Sequence, residues 1–189
     1  LSLSEDTFDC SDVGDVMVWL YADDADGNVD SCQATITITS APPAADCQDV
    51  SVTLDGAGSA SIGTTDVDNG STSACVPIDS FALSTSTLGC ADLPSTVVTM
   101  TVYAGGLSSN CTSTVTVTDD EAPAFSFCPP DESSCSPVQA FQTPVVDDNC
   151  NVASLVKTVT ETVSLSAIQH DVLYVATDDA GNADSCAFT

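Results

Sequence analysis

Hydrophobic and polar residues alternate over short stretches along the whole chain. Thr alternates with Ile or Val in residues 35–39 and 114–118, and residues 51–54 continue the pattern. A period of two is typical of half-buried β-strands, and no stretch carries the hydrophobic stripe of an amphipathic helix. Gly27-Asn28 and Gly181-Asn182 separate strand-like stretches, as in tight hairpin turns. The pattern therefore predicts an all-β fold of immunoglobulin-like β-sandwiches.

The sequence also repeats itself with a period of about 80 residues. Cys10 and Cys90 lie in similar contexts 80 positions apart, and Cys32 and Cys111 stand in matching runs 79 positions apart. The Asp, Gly and Asn residues before Cys32 return before Cys186. A repeat of this length is typical of tandem modules joined by short linkers. We predict a rod of three: the C-terminal half of a module at 1–40, a complete module at 41–119, and a module lacking the end of its last strand at 120–189.

The incomplete first module has two explanations. The sequence can be an excerpt from a longer repetitive chain, so that further strands lie outside it. Alternatively, strands donated by a neighbouring subunit can complete the half-module. The repeat pattern favours the excerpt, and the donated strand stays open as the alternative.

Charge restricts the partners of the chain. Its 189 residues include one Lys+Arg and 28 Asp+Glu, which gives a formal net charge of -27. A chain with one basic residue cannot neutralise a run of phosphates, so we expect no nucleic acid partner and no anionic membrane surface. Hydrophobic residues make up 43% of the chain, enough to build cores. The sequence contains no signal peptide and no apolar run long enough to span a bilayer.

Ten cysteines and one histidine favour disulfides over metal-thiolate or catalytic chemistry. No Cys-x-x-Cys pair is present, which argues against zinc. Paired cysteines persist in oxidising compartments, so we expect an extracellular, cell-surface or secreted location. His170 precedes Asp171, but no Gly-x-Ser-x-Gly motif accompanies them. We therefore expect no enzymatic activity.

Several motifs resemble a known family. Cys128-Pro129-Pro130, Asp147-Asp148-Asn149-Cys150 and the run from Ala176 to Thr189 resemble the hyalin repeat over the whole third module. Residues 41–119 are similar to related immunoglobulin-like repeats of large bacterial cell-surface adhesins. The resemblance implies an extracellular protein that takes part in attachment, often as a long filament.

The repeats suggest a disulfide pairing, because equivalent cysteines should form equivalent bonds. Many other connectivities are formally possible. The pairing predicted from the repeats is Cys10–Cys32, Cys90–Cys111, Cys47–Cys75, Cys128–Cys150 and Cys135–Cys186.

Clustered carboxylates suit calcium, which takes six to eight oxygen ligands. The junction at residues 119–123 resembles the acidic linkers that calcium rigidifies in cadherin-type rods. For the hairpins, an ordinary solvated turn is the favoured alternative, and at the junction the two interpretations stand equal. The candidate calcium ligands are Asp23, Asp26, Asp66, Asp68, Asp119, Asp120, Glu121, Asp147, Asp148, Asp178 and Asp179.

Two functional hypotheses follow. The first is a structural or adhesive segment of an extracellular repetitive surface protein or filament, whose partners are neighbouring modules or copies. The alternative is a module of a secreted protein that binds a glycan or protein through its loops.

Overall fold

The computed structural model describes residues 1–133, 141–165 and 167–189. Strands dominate the described residues, and the α-helical structure there is the four-residue α1, Thr64–Val67. Short 3-10 turns lie at Cys10–Asp12 and Cys90–Asp92. No helix in the described part of the chain is long and apolar enough to cross a membrane. The all-β prediction is confirmed.

Fourteen strands form five sheets in the described residues. The neighbours in each sheet are β1–β2–β3, β4–β9–β8–β6, β5–β7, β10–β11 and β12–β13–β14. In chain order the strands are β1 Ser2–Leu3, β2 Gly14–Asp23, β3 Val29–Ile38, β4 Val50–Thr53, β5 Ser59–Ser61, β6 Ser80–Leu83, β7 Thr87–Gly89, β8 Ser95–Ala104, β9 Leu107–Thr118, β10 Ala124–Phe127, β11 Val145–Asp147, β12 Val152–Val163, β13 Ile168–Asp178 and β14 Ala183–Phe188.

The second repeat segment, 41–119, has an immunoglobulin-like strand order. Its β4 pairs in parallel with the end of β9, whereas β6 pairs antiparallel with β8. The short pair β5–β7 forms a separate antiparallel sheet. A parallel contact between the first and last strands of a module, with a second sheet facing the first, is the arrangement of an immunoglobulin-like sandwich.

The described chain divides into two compact units. Unit 1 contains Leu1–Asp49, Gly63–Thr85 and Val97–Ser113, and unit 2 contains Val50–Ile62, Ser86–Thr96 and Thr114–Thr189. The three-module division at 1–40, 41–119 and 120–189 stays a prediction.

In unit 1 the core follows the alternation of β8. From Val98 to Ala104 every second side chain of this strand is buried, and Met100 and Val102 are completely so. Val67, the last residue of α1, is also completely buried. The matching hairpin β2–β3 is much more exposed, with Val18 as its buried hydrophobic residue.

In unit 2 the core has two parts. The first part consists of buried hydrophobic residues that lie in, or directly after, strands of two different sheets. They are Leu54, Leu88, Val115 and Val117. A second cluster joins β13 and β14 through the residues Val172, Tyr174, Cys186 and Phe188. Both parts therefore obey the period of two that the sequence shows.

The disulfide pairing predicted from the repeats is wrong. Cys32 has no disulfide partner in the described part of the chain, and Cys135 lies outside the described residues. The bonds found are Cys10–Cys75 and Cys47–Cys111 in unit 1, and Cys90–Cys150 and Cys128–Cys186 in unit 2, with Cα–Cα distances of 4.8, 5.6, 5.5 and 5.7 Å.

The error has a physical cause. The predicted partners were 21 to 51 residues apart and were chosen mostly as near neighbours, whereas the bonded pairs lie 58 to 65 residues apart. Because β4 runs parallel to β9, Cys47 and Cys111, which precede the paired stretches, meet at the same end. Equivalent cysteines do form equivalent bonds, since Cys10 and Cys90 each bond from a 3-10 turn.

Candidate metal centre

Three aspartates of unit 2 converge at the ends of three strands. Asp119 directly follows β9, Asp148 directly follows β11, and Asp178 is the last residue of β13. One carboxylate oxygen from each lies within 4.8 Å of the others. We call these three residues the aspartate cluster. All three belong to the predicted set of calcium ligands.

The cluster concentrates negative charge in a partly buried place. Asp178 is 3% exposed and Asp119 is 8% exposed. Buried charges are costly unless a counter-charge or hydrogen bonds compensate them. The chain's one basic residue is Lys157, and its ammonium lies over the rings of Phe141 and Tyr174. The aspartate cluster therefore needs compensation other than a basic side chain.

Asp178 is held by the hairpin that joins β13 to β14. Its Oδ1 accepts hydrogen bonds from the backbone N–H groups of Gly181 (2.6 Å) and Asn182 (2.8 Å), and its Oδ2 accepts one from Asn182 Nδ2 (2.8 Å). Burial by itself raises the pKa of Asp178, but these hydrogen bonds outweigh it and hold the pKa below its usual value. Asp178 therefore carries its charge at neutral pH.

The two carboxylate oxygens of Asp148 differ in their hydrogen bonding. Its Oδ2 accepts hydrogen bonds from the backbone N–H groups of Cys150 (2.9 Å) and Asn151 (3.0 Å). Its Oδ1 is buried and has no hydrogen-bond partner among the residues that the structure describes. Buried carboxylate oxygens without a partner are rare, and each calls for an explanation such as an ion or a water molecule.

Asn149 supplies a second unpartnered oxygen beside the cluster. Its Nδ2 donates to Asp119 Oδ1 at 3.0 Å and to the Asp55 carbonyl oxygen at 3.1 Å. Its Oδ1 is also buried, and the described part of the chain offers it no hydrogen-bond partner. Carboxylate and amide oxygens are the ligands that calcium prefers, so the donor set fits a hard cation. Asn149 was not among the predicted ligands, although it lies inside the acidic run 147–150.

The hairpin also fixes the peptide that follows β9. Asn182 Nδ2 donates to the carbonyl oxygens of Asp119 (3.0 Å) and Glu121 (3.1 Å). The Glu121 N–H donates to Asp119 Oδ1 at 3.3 Å. The position of Asp119 thus depends on the turn that holds Asp178.

The remaining candidates of this region lie next to the cluster but outside it. Asp179 Oδ2 accepts a hydrogen bond from Asn151 Nδ2 at 2.8 Å. Asp147 pairs with Ala124 in the β10–β11 ladder. Asp120 and Glu121 are exposed.

The candidates of unit 1 serve local turns. Asp66 Oδ2 accepts the Gly63 N–H, and Asp68 Oδ1 accepts the Ser71 N–H. Hydrogen bonding from Ser71 lowers the pKa of Asp68. Asp23 ends β2, and the Asp26 N–H donates to Asp24 Oδ1. The described residues bring none of these four into a group of three possible metal ligands.

The repeat offers an internal comparison for the aspartate cluster. By the offset between Cys32 and Cys111, Ser40 matches Asp119. By the offset between Cys75 and Cys150, Ser73 matches Asp148, and Ala104 ends β8 as Asp178 ends β13. The three matching positions of unit 1 therefore carry no carboxylate.

A cavity of about 550 Å³ adjoins the cluster in unit 2. Asp119 and Asp179 lie on its wall beside the Cys90–Cys150 bond. No aromatic or basic residue is among the described residues that line it, which are Cys90, Leu93, Pro94, Val117, Thr118, Asp119, Cys150, Asn151, Asp179 and Ala180. Apart from its acidic side, the wall is mainly apolar.

Comparison with known proteins identifies one part of the chain. The family model of the HYR domain matches residues 118–189, a range that includes the whole aspartate cluster. The predicted hyalin-repeat resemblance is confirmed there. No curated protein matches the chain.

Solved structures give low-identity matches over most of the chain. The structure of mouse clustered PcdhgC3 EC1-3 is 14% identical, with a TM-score of 0.33, and the match covers 92% of this chain and 75% of that one. The three-domain structure of titin I67-I69 is 12% identical, with a TM-score of 0.45 and coverage of 93% and 73%. The endo-fucoidan hydrolase MfFcnA4 is 16% identical, with a TM-score of 0.27 and coverage of 94% and 34%.

Proposed function

We propose that this chain, whose residues 118–189 form a HYR domain, is a structural and adhesive segment of an extracellular surface protein or filament, stabilised by disulfides and calcium. The aspartate cluster, with the buried oxygens of Asp148 and the adjoining Asn149 that lack a hydrogen-bond partner among the described residues, is the observation that carries the calcium part of the proposal. The role is mechanical, and it needs no catalytic residue.

The cysteines support an extracellular location. The four disulfides of the described residues close loops of 58 to 65 residues. Such bonds persist in oxidising compartments and are rare in cytosolic proteins. In the chain-entropy account, a loop of this length contributes roughly 4 kcal/mol by restricting the unfolded state.

Calcium would bind between the ends of three strands. Asp119, Asp148 and Asp178 would hold the ion, with Asn149 Oδ1 as a neutral ligand. The ion would supply the positive charge that the cluster lacks and would oppose the mutual repulsion of the carboxylates. Because Asp119 lies in the peptide between two repeat segments, a bound ion would stiffen that peptide. The predicted rod of tandem modules would gain resistance to bending there.

The surface charge suits a filament that must not aggregate sideways. A net charge of -27 keeps neighbouring chains apart, and the exposed edges of strands are thereby discouraged from pairing. Neighbouring modules or copies in the filament are the partners that we propose.

Calcium binding can be tested on the chain itself by isothermal titration and thermal unfolding, with and without a chelator. We expect calcium to raise the unfolding temperature, since a ligand at 100 times its Kd stabilises the folded state by about 2.7 kcal/mol. Asp148→Asn places an amide at the unpartnered oxygen and should weaken calcium binding roughly tenfold or more. Asp120→Asn removes the same charge from an exposed neighbour and is the matched control, with an expected change of less than about threefold.

The location of the effect is a second criterion. Hydrogen exchange should show calcium-dependent protection around Asp119, Asp148 and Asp178, and no change around Ser40 and Ser73. Stability that does not depend on calcium, or equal losses of calcium affinity in the two variants, would remove calcium from the proposal.

The mechanical role is tested separately by stretching single chains. Calcium should raise the unfolding force of unit 2 in the wild type but not in Asp148→Asn.

A further inference from the structure

Cys32 differs from the cysteines that occupy its position in the other repeats. Cys111 and Cys186 match it, and each bonds to a cysteine 58 to 64 residues earlier in the chain. Cys32 is exposed and has no disulfide partner among the described residues. A cysteine that bonds in the same place in two repeats is expected to have a partner in the third.

The strand that bears Cys32 also has a free edge. β3 pairs with β2 on one side and has no second neighbour in its described sheet, whose order is β1–β2–β3. The matching strand β9 lies between two neighbours, β8 and β4. Its pairing with β4 is parallel, from Val50 opposite Val115 to Thr53 opposite Thr118. The residues that match this stretch are 36–39, at and just after the end of β3.

The face of the β2–β3 hairpin that should point into a core is covered at Val18 but only partly covered elsewhere. Leu20 matches Met100, and it is 37% exposed whereas Met100 is completely buried. Ile36 and Ile38 match Val115 and Val117, and they are half-buried whereas the two valines are buried. In residues 41–119, the equivalent residues of β8 and β9 are buried.

The third repeat segment shows the same relationship beside its own disulfide. After Cys128 the chain runs next to the end of β14, where the Glu132 N–H donates to the Thr189 carbonyl oxygen at 2.8 Å. The Thr189 N–H donates to Asp131 Oδ1 at 2.8 Å. The bonds Cys47–Cys111 and Cys128–Cys186 therefore share one feature. In each, the segment after the first cysteine lies along the residues that follow the second cysteine.

We propose that the free edge of β3 binds a parallel β-strand whose preceding cysteine forms a disulfide with Cys32. By the register of β4, this cysteine stands three residues before the residue that pairs with Ile36. The strand comes from a further repeat of the same polypeptide, outside residues 1–189. The inference rests on the proposed function, because it takes the chain to be part of a longer repetitive protein.

The bond forms by thiol–disulfide exchange. The Cys32 thiol loses its proton to solvent, and the thiolate attacks the sulfur of the incoming cysteine in a mixed disulfide. The new sulfur–sulfur bond forms as the old one breaks, and the small thiolate leaves with the electron pair. A small-molecule disulfide such as oxidised glutathione supplies the mixed disulfide in an oxidising compartment.

A peptide with the sequence of residues 44–54 provides the probe, because it contains Cys47 and β4. Its cysteine is activated as a mixed disulfide with thionitrobenzoate, so that capture releases a coloured thiolate. We expect the chain to capture this peptide roughly tenfold faster than a control peptide with Val50→Asp and Val52→Asp, since only the first can cover the apolar face. Peptide mapping should place the bond at Cys32, and hydrogen exchange should show new protection in residues 36–39.

Three results would overturn the proposal. Equal capture rates for both peptides would show that Cys32 is merely an accessible thiol. Capture by a Cys32→Ser variant at the wild-type rate would place the reaction elsewhere. A Cys32-linked dimer that forms without peptide would show that a second copy occupies the edge. Each experiment is run in chelator as well, so that loss of the calcium site and loss of strand binding are seen independently.

Discussion

The Asn182 side-chain amide donates a hydrogen bond to the Asp119 carbonyl oxygen at 3.0 Å. The same amide donates to Asp178 Oδ2 at 2.8 Å, so one side chain joins the β13–β14 hairpin to the peptide after β9. In the β2–β3 hairpin, Asn28 Nδ2 donates to Asp24 Oδ2 at 2.7 Å. The two asparagines thus share the turn contact, and Asn182 has the junction contact in addition.

This difference makes Asn28 a matched control for Asn182. We expect Asn182→Ala to lower the free energy of unfolding by roughly 1–3 kcal/mol, because it removes the turn contact and leaves two carbonyl oxygens without their donor. Asn28→Ala removes only the turn contact, so its cost should be smaller by about 1 kcal/mol. Urea unfolding in the presence of a chelator measures both. Equal losses would show that the contact with Asp119 contributes no stability.

The pKa of Asp24 provides a test by pH. The side chain of Asn28 and then its backbone N–H lower the pKa of Asp24 below the ordinary 3.8. A carboxylate with a depressed pKa in the folded state adds stability above its unfolded pKa of about 3.9, and this stability is lost as the pH falls through the lower folded value. Carbon-detected NMR titration should find the Asp24 midpoint below 3.8 in the wild type and closer to it in Asn28→Ala. An unchanged midpoint in the variant would contradict this assignment.

The strands were predictable from the sequence because alternation is a local property. The alternating residues 114–118 lie in β9, and residues 51–54 lie in β4 or directly after it. The two Gly-Asn pairs lie in the turns between β2 and β3 and between β13 and β14. The disulfides were not predictable in the same way. Alignment of the repeats shows which cysteines occupy equivalent positions, but it does not show which of these positions lie close together in the folded chain. That depends on the parallel contact of β4 with β9, which joins residues more than 60 positions apart.

The aspartate cluster could also be predicted only in part from the sequence. Composition and motif resemblance pointed to the acidic runs at 119–121, 147–148 and 178–179, but each run offers two or three carboxylates. The pleat of each strand and the turn after it decide which one faces the cluster. Asp178 is turned inward by its hydrogen bonds to Gly181 and Asn182, whereas Asp179 bonds to Asn151. The role of Asn149 depends on burial of its oxygen, which no sequence pattern displays.

Disulfide mapping under non-reducing conditions tests the connectivity directly. We expect peptides linked by Cys10–Cys75, Cys47–Cys111, Cys90–Cys150 and Cys128–Cys186. Replacing Cys90 and Cys150 together by alanine should lower the free energy of unfolding of unit 2 by roughly 2–5 kcal/mol. The double replacement of Cys10 and Cys75 is the control, since it should destabilise unit 1 and leave calcium binding at the aspartate cluster unchanged. A peptide that links Cys10 to Cys32 would contradict the connectivity.

Gly58 offers a test of how tightly unit 2 is packed next to Asn149. This glycine has φ of +69°, and a Cβ there would lie 2.5 Å from the Asn149 carbonyl oxygen and 2.8 Å from Cys90 Sγ. Gly27 has φ of +85°, but a Cβ on it would meet nothing within 4 Å. Both glycines therefore adopt a backbone conformation that costs a side-chain-bearing residue about 1–2 kcal/mol, and only Gly58 adds a steric conflict.

We accordingly expect Gly58→Ala to lower the free energy of unfolding by about 1–3 kcal/mol more than Gly27→Ala, which is the range for overpacking. Because a displaced Asn149 backbone would also shift the side chain that it carries, we expect Gly58→Ala to weaken calcium binding as well, whereas Gly27→Ala should not. Urea unfolding and calcium titration of the two variants provide the measurements. Equal stability losses would show that the close approach of Gly58 to Asn149 is relaxed in solution. A stability loss without a change in calcium affinity would separate the packing of this loop from the position of the Asn149 side chain.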